Sequence, residues 1–205
     1  MILGEESTSP TNVIDDEKAV EIPTLSRAQR MSIALILAYA MLELYPTPWL
    51  PQAFGKKDVY FFVRKNGEVV TESPFLLCQA SASARPNATN EASPLDPDNS
   101  DALLALGILI MELWFGQSIE SRPFWKEHCQ ENGSEKPFTR FTAAIEWQKK
   151  AIDEAGIILH DVTYRCIRGN VGPTTIDLNN LDCVRAVLDQ IITPLEGLLA
   201  HFWPG

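Results

Sequence analysis

Chemistry needs titratable, nucleophilic or metal-ligating side chains at workable spacing, and this sequence offers few. Its three histidines, His128, His160 and His201, are widely scattered. Its four cysteines, Cys78, Cys129, Cys166 and Cys183, form no Cys-x-x-Cys pair. His128 and Cys129 are adjacent, but two neighbouring ligands do not make a zinc site without a second pair at suitable spacing. The thiols therefore read as reduced and mostly buried. His160-Asp161 places an imidazole beside a carboxylate, yet no Gly-x-Ser-x-Gly nucleophile motif accompanies it. Glu43, Glu112 and Glu146 stand on apolar stretches, and none has a second carboxylate three or four residues on. They read as solvated or salt-bridged rather than as an acid–base pair. Gly169-Asn170-Val171-Gly172-Pro173 is a turn, not a phosphate loop. Tryptophans are more often core anchors than ligand platforms. Trp49, flanked by Pro48 and Pro51 on a loop, is the exception and a candidate partner contact. No catalytic, cofactor-binding or metal-ligating residue is expected.

The chain that must position these groups has 205 residues, enough for one domain burying about 70% of its unfolded surface. Hydrophobic residues make up 45% and charged residues 21%, ordinary for a globular protein. With 27 acidic against 17 basic side chains the formal charge is −10. Such a chain repels phosphate backbones, so neither nucleic acid nor an anionic membrane is expected as a partner. The N-terminus has no basic region followed by a long apolar one, which predicts a cytoplasmic, intracellular protein. The longest apolar run, Ile33 to Leu42, is about half of what spans a bilayer, so no membrane insertion is expected.

Residues 1–23 are polar and acidic and read as a disordered tail or linker. Residues 24–205 read as one helical domain. Thr24 or Ser26 can cap a helix that is apolar almost all round from Met31 to Leu44, and therefore central. Tyr45-Pro46-Thr47-Pro48 ends it. Val59–Val63 and Val69–Thr71, joined by Lys65-Asn66-Gly67-Glu68, predict a β-hairpin. Residues 79–99 hold almost nothing large and apolar and predict a mobile loop. A helix follows over Ala102–Phe115, stopped by Gly116. Phe124, Trp125 and Phe138 are expected anchors. Helices are predicted over Thr139–Ala155 and Ile157–Ile167. A last helix starts at Asp177, kinked at Pro194.

The stretch Ser100 to Gly116 resembles a signature of protein kinases, in the helix after the activation segment. Ser100, Asp101, Leu106, Gly107, Leu109, Glu112, Leu113 and Gly116 match, with one extra residue before Leu106. Asp101 stands where a carboxylate caps a helix, and in kinases the matching aspartate holds the catalytic-loop backbone. Gly107 costs nearly 1 kcal/mol in mid-helix, which suggests close approach by another element. Asp101 and Gly107 are thus the expected structural anchors. The order of elements is also similar to a kinase C-terminal lobe.

The departures are informative. Tyr45 to Gly55 lacks the kinase His-Arg-Asp, and Ser73-Pro74-Phe75 falls where kinases place the metal-holding Asp-Phe-Gly. No Gly-rich phosphate loop precedes them. The groups that phosphoryl transfer needs are missing together. A finer pattern is similar to a fungal family of uncharacterised domains that follow HeLo-like or prion-inhibition helical domains. Leu25-Ser26-x-x-x-Arg30, Thr47-Pro48-Trp49-Leu50, Val59-Tyr60-Phe61 and the ending around Thr193-Pro194-Leu195-Glu196 carry it. Together the resemblances imply a mainly α fold with a small β-hairpin, a kinase-like C-terminal lobe without its N-terminal lobe. They imply no enzyme and no cofactor. The expected role is a non-catalytic, pseudokinase-like scaffold that binds a protein partner in non-self recognition or cell-death signalling. The alternative is a divergent phosphotransferase whose nucleotide lobe lies elsewhere.

Overall fold

A computed structural model describes residues 25–45, 47, 54–76, 99–172 and 177–202, the side chains of Asn99 and Ser100 excepted. The tail at 1–23, the helix-ending Pro46 and Pro48, Trp49, Cys78 and the loop at 79–98 lie outside the described residues.

Helix α1 spans Arg27–Leu44. Ser26 starts it with a capping box: its hydroxyl accepts from the Gln29 amide at 3.2 Å, and the Gln29 side chain accepts from the Ser26 amide at 2.9 Å. A 3₁₀ turn over Lys56–Asp58 leads into β1, Val59–Tyr60, which pairs antiparallel with β2, Phe75–Leu76. The predicted hairpin is present but forms differently. Val63 and Val69 make a single bridge around the five residues 64–68, in which Gly67 has φ 83°. The regular pairing is between Val59–Tyr60 and Phe75–Leu76, not with Val69–Thr71.

Helix α2 spans Asn99–Phe115, so it begins three residues before the expected start and takes Asn99 out of the predicted loop. A 3₁₀ turn at Ile119–Ser121 and the short α3, Trp125–His128, follow. Helix α4 spans Thr139–Arg168 and is broken at Gly156, where φ 75° and ψ 170° place the backbone in a region that only glycine enters cheaply. The two predicted helices therefore meet at this residue. Gln148, buried before the break, donates to the His160 carbonyl after it at 3.4 Å.

The last helix departs from expectation at its start. Asp177 uses its carboxylate on the Asn179 amide, and Asn180 caps α5, Leu181–Val187. A π turn over Leu188–Ile192 then joins α6, Thr193–Ala200. This irregular turn sits immediately ahead of Pro194, which has no N–H to continue an α-helical ladder.

The centre of the fold is α2 rather than α1. Leu103, Leu106 and Ile110 pack with α1, the second half of α4, α5 and α6. Ile108 and Met111 pack on the opposite side with Phe124, Trp125 and Trp147. A helix buried on two sides needs apolar residues nearly all round, and Ala102–Phe115 supplies them. Phe124 and Trp125 are buried as expected, whereas Phe138 is 72% exposed. Phe138 precedes α4, and the adjacent Thr139 takes the buried place, its hydroxyl bonding the His128 carbonyl at 2.8 Å. Among the described residues no helix is long and apolar enough to cross a membrane.

Candidate functional site

The hairpin is held against α2 by one lysine. Lys56 Nζ lies 2.9 Å from Glu112 Oε1 and also bonds the Glu120 carboxylate. Glu112 Oε1 additionally accepts from the Ile119 amide at 2.8 Å, so the carboxylate caps the turn after α2. Partial burial opposes charge on Lys56, but Glu120 and Glu112 outweigh it and hold its pKa above the ordinary lysine value. Burial likewise opposes charge on Glu120, yet Lys56 and nearby donors leave its carboxyl below the usual range. Both groups are therefore charged and paired at neutral pH.

This ion cluster divides two depressions. On one side an apolar pocket of about 300 Å³ lies between α1, α2 and the hairpin. On the other a cleft of about 860 Å³ runs over the exposed length of α2. Its floor includes Leu104, Ile108 and Phe141, and its rim mixes Asp101, Glu135, Arg140 and Arg168. Arg140 is bound to Glu135 at 2.9 Å.

The alternation of a strand sorts the residues at Val59–Phe62. Val59 and Phe61 are half-buried and face the apolar pocket. Tyr60, Phe62 and Phe75 are exposed on the other face, at 42%, 63% and 37%. The Phe62 and Phe75 rings lie 4.7 Å apart, and Tyr60 and Phe75 lie 5.8 Å apart. Lys57 and Lys65, which precede and follow this stretch in sequence, are exposed.

The residues singled out by sequence do not gather in one place. Asp101 is exposed in the first turn of α2, which begins two residues before it. The Tyr45–Leu50 loop, which the kinase resemblance implies Asp101 would hold, lies largely outside the described residues. Gly107 sits where α4 crosses α2: a Cβ there would meet Cys166 Cβ at 2.8 Å and Ile167 Cγ1 at 3.0 Å. Burial pushes the Cys166 thiol pKa up, so it is an inert packing group. Glu146 is paired with Lys150 at 2.5 Å and His128 at 2.9 Å, which hold its carboxyl below the usual range. Asp161 is bound to Arg165 rather than to His160. Among the described residues no group of three His, Cys, Asp or Glu could hold a metal ion.

Two features escaped the sequence reading. Lys56 and Glu120 meet across 64 residues of chain, and nothing local marks either. Arg30 was visible only as part of a recurring pattern. Its Nε donates to the Leu113 carbonyl at 2.6 Å and its Nη1 to the Leu25 carbonyl at 2.5 Å, so it caps the end of α2.

Fold and site together define a mainly helical domain with one small antiparallel sheet that presents an aromatic face. The chain belongs to the family described as Domain of unknown function (DUF7580), whose model matches residues 5–202. No curated protein matches the chain, and no solved structure does.

Proposed function

We propose that this is a non-catalytic interaction domain whose hairpin binds a protein partner. The exposed aromatic face of Tyr60, Phe62 and Phe75 carries the reading. Three neighbouring rings left exposed forgo the burial that usually stabilises them, and aromatics are enriched where proteins meet. Exposed Lys57 and Lys65, near the rings in sequence, suit a partner segment that combines apolar and acidic side chains. The pairing of Lys56 with Glu112 and Glu120, and of Arg140 with Glu135, supports a non-catalytic role. The finer reading, a pseudokinase-like C-terminal lobe serving non-self recognition or cell death in fungi, rests on the sequence resemblances alone.

Capture from native lysate with the unaltered chain and with a Tyr60→Ser, Phe62→Ser variant tests this. A protein retained by the first and lost by the second, with unchanged circular dichroism, is the expected outcome. Identical capture by both chains would remove the hairpin face from the proposal. A saturable rise in melting temperature with millimolar Mg-ATP would overturn the non-catalytic reading.

A further inference from the structure

A two-stranded sheet has two open edges, and here they are built differently. On the second strand five residues separate Val69 from Phe75, whereas on the first two separate Tyr60 from Val63. The excess forms a bulge over 70–74 that holds Glu72 and Pro74. A bulge, a charge and a proline are all devices that keep an edge from pairing. The first strand has no such guard. Val59-Tyr60-Phe61-Phe62-Val63 contains no proline and no charge, and all its residues are types that favour strands.

Hydrogen bonds show which backbone groups lie on that unguarded edge. The Phe62 carbonyl accepts from the Val70 amide at 2.9 Å, and the Arg64 amide donates to the Glu68 carbonyl at 2.8 Å. Phe62 and Arg64 thus turn these groups to the second strand, and by alternation Phe61 and Val63 turn theirs the other way. Among the described residues the Phe61 and Val63 backbone groups make no hydrogen bond. Val63 is 54% exposed. The two faces beside this edge differ. Phe61 lines the apolar pocket of about 300 Å³ together with Ile33, Leu37 and Leu109, while Tyr60 and Phe62 belong to the exposed aromatic face.

We propose, on the footing that the hairpin binds a protein partner, that the partner enters as an extended segment adding a third strand along Phe61–Val63. Main-chain bonds to these two residues supply the pairing, and alternate side chains supply the selection. A residue opposite Phe61 points to the pocket side and must be apolar; its neighbour opposite Phe62 meets the aromatic face. Beyond Val63 stands Lys65, exposed and without an ion pair among the described residues, which suits Asp or Glu at that end of the segment. Charge disfavours a second copy as the occupant. The stretch 54–76 carries Lys56, Lys57, Arg64 and Lys65 against Asp58, Glu68 and Glu72, a net of +1, so the rest of the chain carries −11. A second hairpin would bring that acidic body with it.

The test pans the whole chain against a phage-displayed library of random peptides and synthesises the enriched sequences. They should carry apolar residues at alternate positions and Asp or Glu at one end. Their binding should slow exchange of the Val63 amide about tenfold and leave 159–167 unchanged. N-methylating one alternate set of peptide amides should weaken binding about tenfold, and N-methylating the other set should hardly matter. Val63→Pro removes an amide that bonds nothing in the fold and should weaken binding as strongly, whereas Val63→Thr should retain it. The two N-methylated peptides decide the matter even where Val63→Pro disturbs the hairpin. No enriched peptide, equal tolerance of both N-methylated sets, or dimers of the chain formed without peptide would each overturn the third strand. Peptides that need Tyr60 and Phe62 but leave the Val63 amide unprotected would overturn it and spare the hairpin reading. Peptides indifferent to the aromatic face and to the edge would overturn both.

Discussion

Gly107 on α2 lies so close to Cys166 on α4 that a β-carbon at 107 would stand 2.8 Å from the β-carbon of Cys166. The close crossing of the two central helices runs through this contact. Ala in an exposed helix interior would stabilise by nearly 1 kcal/mol over Gly. Here overpacking opposes that gain with about 1–3 kcal/mol. The neighbours are a β-carbon and the backbone of Ile167, which cannot swing aside. Gly107→Ala should therefore lose up to about 2 kcal/mol in urea denaturation. A variant as stable as the parent would mean that the helices separate freely.

Arg30 fastens the start of α1 to the end of α2 through the Leu25 and Leu113 carbonyls. Hydrogen bonds from a charged donor contribute about 1.5–3 kcal/mol, and a cation at a helix C-terminus adds favourable dipole interaction. Arg30→Ala should cost about 2–3 kcal/mol by chemical denaturation. Arg30→Lys should recover only part, because an ammonium cannot span two carbonyls as a planar fork does. Full recovery by lysine would show that charge alone matters.

The Lys56 cluster predicts a two-sided pH dependence. Glu120 has a lowered pKa in the fold, so its contribution is present above its unfolded value of 4.5 and lost as pH falls through the folded one. Lys56 has a raised pKa, so its contribution is present below 10.5 and lost as pH rises through the folded value. The protection of the amides at Val59–Phe62, taken as the exchange rate relative to the intrinsic rate at each pH, should be greatest between these limits and fall on both sides. Lys56→Met should flatten that dependence while lowering protection throughout. An unchanged profile in the variant would assign the pH effect to other groups.

Asp101 is exposed and lies in the first turn of α2, near the positive end of the helix dipole. An exposed carboxylate there contributes about 0.3–1 kcal/mol. Asp101→Ala should cost no more than about 1 kcal/mol, and Asp101→Asn about as much, since both remove the charge. A loss of several kcal/mol would instead point to the buried, kinase-like role implied by the resemblance.

Much of the helical framework was legible because its signals are local. A cap at Thr24 or Ser26, a break between Ala155 and Ile157 and a stop at Gly116 each mark a boundary through a few consecutive residues, and Ser26, Gly156 and Gly116 are where the boundaries fall. The glycine at 107 announced a close approach because its helix cost needs a reason. Local signals also misled. Asp177 looked like a cap, but Asn180 is the residue that caps the helix, because the Asp177 carboxylate closes a turn first. Phe138 looked like an anchor, but the hydroxyl of Thr139 had a buried carbonyl to satisfy.

By itself the sequence determined a mainly helical chain and the ends of most helices. Those properties follow from side-chain periodicity, caps and composition, which act over a few residues. Only the tertiary structure decided that α2 rather than α1 is the centre, that Lys56 joins Glu112 to Glu120, and that Arg30 caps a helix 83 residues away. It also decided which of Val59, Tyr60, Phe61 and Phe62 face the core and which face water. A strand's alternation states that its two faces differ, but packing against another element determines which face is covered.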